Sequence, residues 1–290
     1  MTDINTYKET ILSVFPQLKG AQFKPLTMGW HSTAVDVDDR LIFKFPKHQV
    51  AKRALLKEAR LLEVIRPVVS MTVPNIEIHE GPPTFSYHRK LKGDHLLRVE
   101  YEGLSEATRQ RMAAELARFY AQLHELDAQS MANAGAEAIE AWQTPDAIRA
   151  IALPALTPAL RSYAEAIVEA FENLPDDPYG TTFGFFDGHG WNMAFDHAQE
   201  QLTGIYDFGD SGFGPLHQEF IYSNFISHDL TERIVTEYEA LTGRCIDRRR
   251  IDILTGQHRL SELAELANDP EHVGSMVQYV ENWAHATCRS

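Results

Sequence analysis

The chain has 290 residues, 44% of them hydrophobic and 23% charged, an ordinary globular composition with room for two modest lobes. Its formal net charge is −14, from 41 acidic against 27 basic residues, which repels nucleic acid and anionic membranes and leaves neither as an expected partner. The two cysteines, Cys245 and Cys288, form no CxxC pair, which argues against a disulfide scaffold and fits a reducing compartment.

The opening MTDINTYKET lacks a basic n-region and an apolar core, so no signal peptide is expected. No apolar run approaches the roughly 18 residues that span a bilayer. A cytoplasmic protein is the expectation. The first ninety residues read as strand-rich. In STAVDVDDRLIFKFP two short β-branched and aromatic runs flank Asp38-Asp39, which predicts a hairpin. HQVAKRALLKEARLLEVIRP follows with Leu55, Leu62 and Ile65 at helical spacing, stopping before Pro67. TVPNIEIHEGPPTFSYHRKLKG then gives two more strands around a Gly-Pro-Pro turn, and Gly93 is a natural lobe boundary. Beyond it, residues 105–127 predict a long helix capped by Ser105. Two or three further helices are expected between 134 and 176, a strand-and-turn block over 181–212, and mostly helix to the end. The expected fold is α+β, a small β-rich lobe over residues 1–92 joined to a larger helical lobe over 93–290, with the ligand site in the cleft.

Strand alternation in LIFKFP puts Leu41, Phe43 and Phe45 on one face and Ile42 with Lys44 on the other. Glu58 lies three or four residues from Leu55, Leu61 and Leu62, on the apolar side of its helix. Buried glutamates are rare unless paired, and Lys44 on the preceding strand is a natural partner. Such a pair pins a cation where phosphate oxygens bind. Upstream, Gly29, Ser32 and Thr33 fall at a turn whose backbone N–H groups suit a phosphate, although an ordinary hairpin loop explains them equally well.

The segment GFFDGHGWNMAFD (184–196) and the following LTGIYDFGDSG (202–212) hold three oxygen-bearing side chains beside apolar or glycine-rich sequence: Asp187, Asn192 and Asp207. If NMAFD and LTGIYD pair with Ala194 near Ile205, Asn192 falls opposite Asp207 at the open end of a hairpin. Two hard oxygen ligands with room for phosphates suit Mg²⁺. Asp187, on the loop before, is placed to act as base or orienter for a hydroxyl. Any one of the three is more often a turn or capping residue; all of them, in order with Lys44 and Glu58, are not. His189 lacks a second histidine or cysteine at zinc-ligand spacing, and His124 in QLHEL reads as a core histidine.

In this order and spacing, Lys44, Glu58, D187-GHGW-N192 and D207-F-G resemble the aminoglycoside phosphotransferase family, small-molecule kinases with the protein-kinase fold. IFKFP, LHEL (123–126) and LTGIYDFGDSG followed by EFIY (219–222) look most like the 2″-phosphotransferase branch, over roughly residues 20–225. The resemblance implies transfer of the γ-phosphate of ATP or GTP, with Mg²⁺, to a hydroxyl of a small molecule, an aminoglycoside antibiotic first among them. By the same resemblance Lys44, held by Glu58, contacts the nucleotide phosphates. Asp187 is the catalytic aspartate, and Asn192 and Asp207 are the magnesium ligands. Segment 86–92, with Tyr87, His88, Arg89 and Lys90, is the hinge that reads the purine. Glu219 stands where the family has an aspartate bracing the catalytic loop, and Phe185 replaces the histidine that usually opens it. Kinases of choline, sugars, macrolides or homoserine, or a nucleotide-binding pseudokinase, are the alternatives. The stretch after Pro215 contains no lysine, and the helical pairs Asp229 with Glu232 and Glu262 with Glu265 are expected to dock a cationic, hydroxylated acceptor. A monomer is expected.

Overall fold

The computed structural model describes residues 4–26 and 32–287. Helix α1 (Ile4–Val14) precedes the sheet, in a strand-rich region where the sequence reading assigns no element to these residues. Ile4, Tyr7, Ile11, Leu12 and Phe15 recur on one face and pack on Phe43 and Phe45 of the sheet behind them. The small lobe is a five-stranded antiparallel sheet in the order β1-β2-β3-β5-β4. Its strands are β1 (Phe23–Leu26), β2 (Ser32–Val37), β3 (Leu41–Pro46), β4 (Glu77–His79) and β5 (Phe85–Arg89). Asp38 and Asp39 turn β2 into β3 at φ 57° and 55°, the left-handed pair that a tight hairpin needs. Helix α2 (Gln49–Ile65) starts at His48, whose ring accepts the Ala51 N–H at 3.1 Å, and carries Leu61, Leu62 and Ile65 into the main core.

The larger lobe begins with α3 (Arg98–Gly103) and α4 (Glu106–His124), the latter capped by the Ser105 hydroxyl as its sequence predicts. Then come α5 (Ala128–Asn133), α6 (Pro145–Ile151) and α7 (Pro158–Glu172). Strands β6 (Thr181–Gly184), β7 (Met193–Asp196), β8 (Gln201–Ile205) and β9 (Gly212–Pro215) pair as β6 with β9 and β7 with β8, both antiparallel. Helices α8 (His228–Thr242), α9 (Arg248–Leu266) and α10 (Val273–Thr287) complete the chain. The main core joins α2, α4, the β6–β9 block and α8; a second cluster ties α6 and α7 to α9 and α10 through Ile148, Val168, Leu260 and Trp283.

Gly93 leads out of the small lobe at φ +126°, and a Cβ there would lie 2.6 Å from the Phe195 nitrogen. Only glycine lets Asp94 pair with Phe195, each N–H donating to the other's carbonyl at 3.0 and 2.9 Å. Small sheet lobe and helical lobe together form a bilobal α+β fold. No described helix is long and apolar enough to cross a membrane. Cys245 is a free, exposed thiol, and Cys288 lies outside the described residues.

Candidate active site

Lys44 sits mid-strand in β3, between Ala34 of β2 and Ser86 of β5. Phe43 and Phe45 point to the opposite face and pack in the outer core, so the lysine is turned toward α2 and the cleft. Its Nζ lies 3.0 Å from Asp207 Oδ1 and 3.8 Å from Glu58 Oε1. Glu58 is 3% exposed and also accepts the Phe208 N–H at 3.0 Å, so strand, helix and the turn after β8 meet at one carboxylate. Burial works against the Lys44 ammonium, but Asp207 and then Glu58 outweigh it and hold its pKa above the ordinary lysine range. Burial pushes the Glu58 carboxyl up, against the pull of Lys44.

Asp207 and Asn192 both flank the open end of the β7–β8 hairpin, but the register is one residue from the expected one. Met193, not Ala194, pairs with Ile205, and the Asn192 carbonyl accepts the Tyr206 N–H at 3.0 Å. A bulge after Ala194, beside the close approach of Asp94, shifts the pairing by a further residue, to Phe195 with Leu202. Asp207 therefore lies one residue beyond the position opposite Asn192, in the left-handed conformation at φ 71°, ψ 66°. Two oxygen ligands are what Mg²⁺ takes from a protein when phosphates and water complete its shell. Among the described residues no three His, Cys, Asp or Glu gather as a metal cage.

The Asp187 carboxylate is clamped on both sides. His189 Nε2 lies 3.0 Å from Oδ1, and Asn192 Nδ2 donates to Oδ2 at 2.5 Å and to the Asp187 carbonyl at 3.1 Å. With its donors directed at Asp187, the Asn192 amide leaves its oxygen as the atom that could meet a cation. Burial opposes the His189 charge, but the hydrogen bond to Asp187 raises its pKa. Gly190 makes this tight loop possible, since a Cβ there would lie 1.8 Å from the Leu96 carbonyl oxygen. Just before the loop, Phe186 takes φ +54°, a costly conformation for an aromatic residue. Glu219, fully buried, holds it by accepting the Phe185 N–H at 2.8 Å and the Phe186 N–H at 2.9 Å. His124 backs Glu219 at 3.2 Å and contacts the Tyr238 hydroxyl at 2.7 Å, which makes it the core histidine its sequence context suggests. Phe185 itself fills an aromatic cluster, 4.8 Å from Phe208 and 6.0 Å from Phe119 between ring centroids.

Asp187 opens onto a cavity of about 820 Å³ that Glu262 and Glu265 also line. Asp229 and Glu232 do not reach it. Asp229 accepts from the Tyr101 hydroxyl at 2.6 Å and from Arg233 Nε at 2.9 Å, while Glu232 lies 3.4 Å from Arg248. Arginines of the chain itself stand where the cationic acceptor is expected, which the absence of lysines after Pro215 does not reveal. Glu262 is itself paired with Arg259 at 2.7 Å, and its pKa falls to about 2: burial opposes that shift, but His258 and then Arg259 outweigh it.

Of the expected nucleotide contacts, Gly29 lies outside the described residues. Ser32 and Thr33 stand at the start of β2, with Thr33 Oγ1 accepting the Tyr7 hydroxyl at 3.3 Å. His88 shares the Lys44 face of the sheet, and its Nδ1–H donates to the Arg89 carbonyl at 2.8 Å. Burial pushes its pKa down to about 4. Tyr87 points the other way, packing on Phe15 and Phe43, with its hydroxyl donating to Glu77 at 2.5 Å. Arg89 is exposed. Lys90 is taken up by Asp36 at 2.7 Å and by Asp39, a lock on the β2–β3 hairpin.

Two features of the site escape sequence reasoning. The His189–Asp187 contact follows only from the loop's curl, though a histidine two residues after a loop aspartate is a usable signal. The cavity's basic side, formed by Arg53, Lys57 and Arg60 of α2, shows in the sequence as cations at i, i+4 and i+7.

The family model described as the phosphotransferase enzyme family matches residues 22–254. Among solved structures, the chain superposes on the GDP complex of a point mutant of aminoglycoside 2'-phosphotransferase-IIIa with TM-score 0.85 and 20% identity, over 98% of both chains. A complex of that type of enzyme with GDP and kanamycin gives TM-score 0.79 at 20% identity, over 97% of this chain and 98% of that one. A macrolide 2'-phosphotransferase type I gives 0.67 at 15% identity, over 97% and 99%.

Proposed function

The chain belongs to the phosphotransferase enzyme family, and on that premise we propose that it transfers the γ-phosphate of ATP or GTP to a hydroxyl of a small hydroxylated amine. The observation that carries this reading is the Asp187 carboxylate, clamped by His189 and Asn192 at the mouth of a cavity and followed by the Asp207–Lys44–Glu58 chain. The division of labour falls at Gly93, with nucleotide binding in residues 1–92 and the catalytic loop and acceptor site in 93–290.

Asn192 and Asp207 would hold Mg²⁺, which neutralises phosphate charge and orients the γ-phosphoryl group when bound. Lys44, fixed by Glu58, draws the nucleotide phosphates into line. Asp187 accepts the hydrogen bond of the acceptor hydroxyl and takes its proton as the oxygen–phosphorus bond forms. The bond from the γ-phosphorus to the bridging oxygen breaks, and the nucleoside diphosphate leaves with that electron pair. Positioning and charge neutralisation supply most of the rate. Ser32, Thr33 and Gly29 serve the phosphates and His88 the purine side, whereas Tyr87 and Lys90 act on the fold of the sheet. Glu262 and Glu265 face the acceptor's ammonium groups, and aminoglycosides are the reference compounds of that chemistry. The GDP and kanamycin held by the similar aminoglycoside phosphotransferases support the nucleotide and amine assignment. Phe185 in place of the family histidine is the feature that favours the pseudokinase alternative, and the Glu219 carboxylate, bracing the Phe185 and Phe186 N–H groups, supports an active enzyme against it.

The test is phosphate transfer from Mg·ATP and Mg·GTP to a panel of hydroxylated amines, aminoglycosides included, followed by mass spectrometry of the acceptor. A phosphorylated acceptor with stoichiometric nucleoside diphosphate is expected. Nucleotide binding without transfer to any acceptor would assign the chain to binding or regulation instead.

A further inference from the structure

The acceptor cavity has walls of opposite charge. From α9, Glu265 and Glu262, the latter already shared with Arg259 and His258, line one side, and Glu137 and Glu140 of the segment after α5 extend it. From α2, Arg53, Lys57 and Arg60 line the other. Those three positions fall at i, i+4 and i+7, so the cations stand side by side and repel one another. Their hydrogen bonds go to neutral backbone carbonyls: Lys57 Nζ donates to Ser211 at 3.4 Å and Arg60 Nε to Ala134 at 3.1 Å. Among the described residues none of the three forms an ion pair. Lys44 does not line this cavity, so the basic row is separate from the lysine assigned to the nucleotide phosphates. Arg53 and Arg60 are exposed and Lys57 is half-buried, and the row shares a half-open cavity of about 820 Å³ with Asp187. Trp142 and Tyr222 add aromatic faces to the same cavity, each about 5.4 Å from the His258 ring.

We propose that the acceptor is zwitterionic: a hydroxylated, sugar-sized amine that also carries a phosphate or carboxylate, its ammonium toward Glu262 and Glu265 and its anionic group toward Arg53 and Lys57. The inference rests on the phosphotransferase reading of the site and narrows its acceptor. Guanidinium and ammonium groups pair with phosphate or carboxylate through charge-assisted hydrogen bonds. A pure polycation meets attraction on one wall and repulsion on the other, which makes it a poorer ligand than the net acidity of the chain suggests.

Binding of four probes by isothermal titration tests this: glucosamine, glucosamine 6-phosphate, glucosaminic acid and kanamycin, each against the full chain. At least one of the two zwitterions is expected to bind tenfold or more tightly than both glucosamine and kanamycin, and which one does so separates phosphate from carboxylate. Arg53→Glu, at an exposed position that has no side-chain partner among the described residues, is expected to erase that margin while glucosamine binding stays within about threefold. A margin below tenfold for both zwitterions, absence of binding included, or a margin that survives Arg53→Glu, overturns the proposal. Phosphate transfer on the same samples keeps the two readings apart: a failed phosphotransferase shows no transfer while the charge-dependent binding persists.

Discussion

Glu219 accepts the backbone N–H of Phe185 at 2.8 Å through one carboxylate oxygen while the other takes the N–H of Phe186 at 2.9 Å. One buried side chain thus holds the two residues that aim Asp187. Glu219→Ala leaves two buried amides without acceptors and is expected to destabilise the fold by about 3 kcal/mol. It should also lower kcat by two orders of magnitude or more, because the strained turn at Phe186 loses its anchor. Phe185→His, which restores the family residue, should bring no gain in kcat. It puts an imidazole among Phe119 and Phe208 and should cost roughly 1–3 kcal/mol. Urea unfolding and steady-state kinetics on both variants check this; a faster Phe185→His enzyme would show that the brace is incomplete.

The ion pair between strand and helix makes a second prediction. Lys44 lies within 3.8 Å of Glu58, and both are held in place by the turn at Asp207 and Phe208. Lys44→Ala and Glu58→Ala should each weaken Mg·nucleotide binding about tenfold or more. The double variant should be weaker than either by less than the product, with a coupling of roughly 1–2 kcal/mol. Fluorescence titration of the four proteins measures it, and an additive cycle would mean that Glu58 acts on the fold alone.

Much of this is legible in the sequence because the signals are local. Asp38-Asp39 marks the hairpin turn, Ser105 the helix start, and the spacing of Glu58 from Leu55 and Leu62 its inward face. The misses come from partners distant in the chain. The β7–β8 register depends on Asp94, a residue about a hundred positions earlier, pressing on Phe195. Asp229 looks available for a ligand until Tyr101 reaches it from α3; its other partner, Arg233, stands one turn along the same helix, an i, i+4 pair that the sequence does show. Helix α1 escapes sequence reading because a single stripe of Ile4, Tyr7 and Ile11 is short, and its meaning appears only against the sheet it covers.

His88 sets a pH dependence. Burial pushes its pKa from the ordinary 6.5 down to about 4, with the Lys44 charge adding to the effect and the Arg89 carbonyl opposing it. Between those values the unfolded chain binds a proton that the folded chain refuses, so the contribution to stability is present above pH 6.5 and lost as pH falls toward 4. At pH 4.5 the loss should reach about 2 kcal/mol relative to pH 7.5. His88→Gln keeps a donor for the Arg89 carbonyl and removes the titration, so its stability should fall less over the same range. Equal pH dependence of wild type and variant in urea unfolding would show that His88 titrates normally.

The last prediction concerns the two groups that hold Asp187. Asp187→Asn is expected to lower kcat by about 10³-fold or more while nucleotide affinity stays within about threefold, because it removes the proton acceptor and leaves the Lys44 side of the cleft untouched. The amide also presents an N–H₂ where the carboxylate met either His189 or Asn192 as acceptor, so one of the two contacts must break. His189→Gln separates orientation from chemistry. Glutamine can still donate toward Asp187 Oδ1 but is longer and less rigid, and a kcat loss near tenfold with an unchanged nucleotide KM is expected. His189→Ala, which leaves Oδ1 without that donor, should lose more than His189→Gln and less than Asp187→Asn. If His189→Ala matched wild type, Asn192 alone would suffice to aim the carboxylate, and if it matched Asp187→Asn, the histidine would itself be moving the proton.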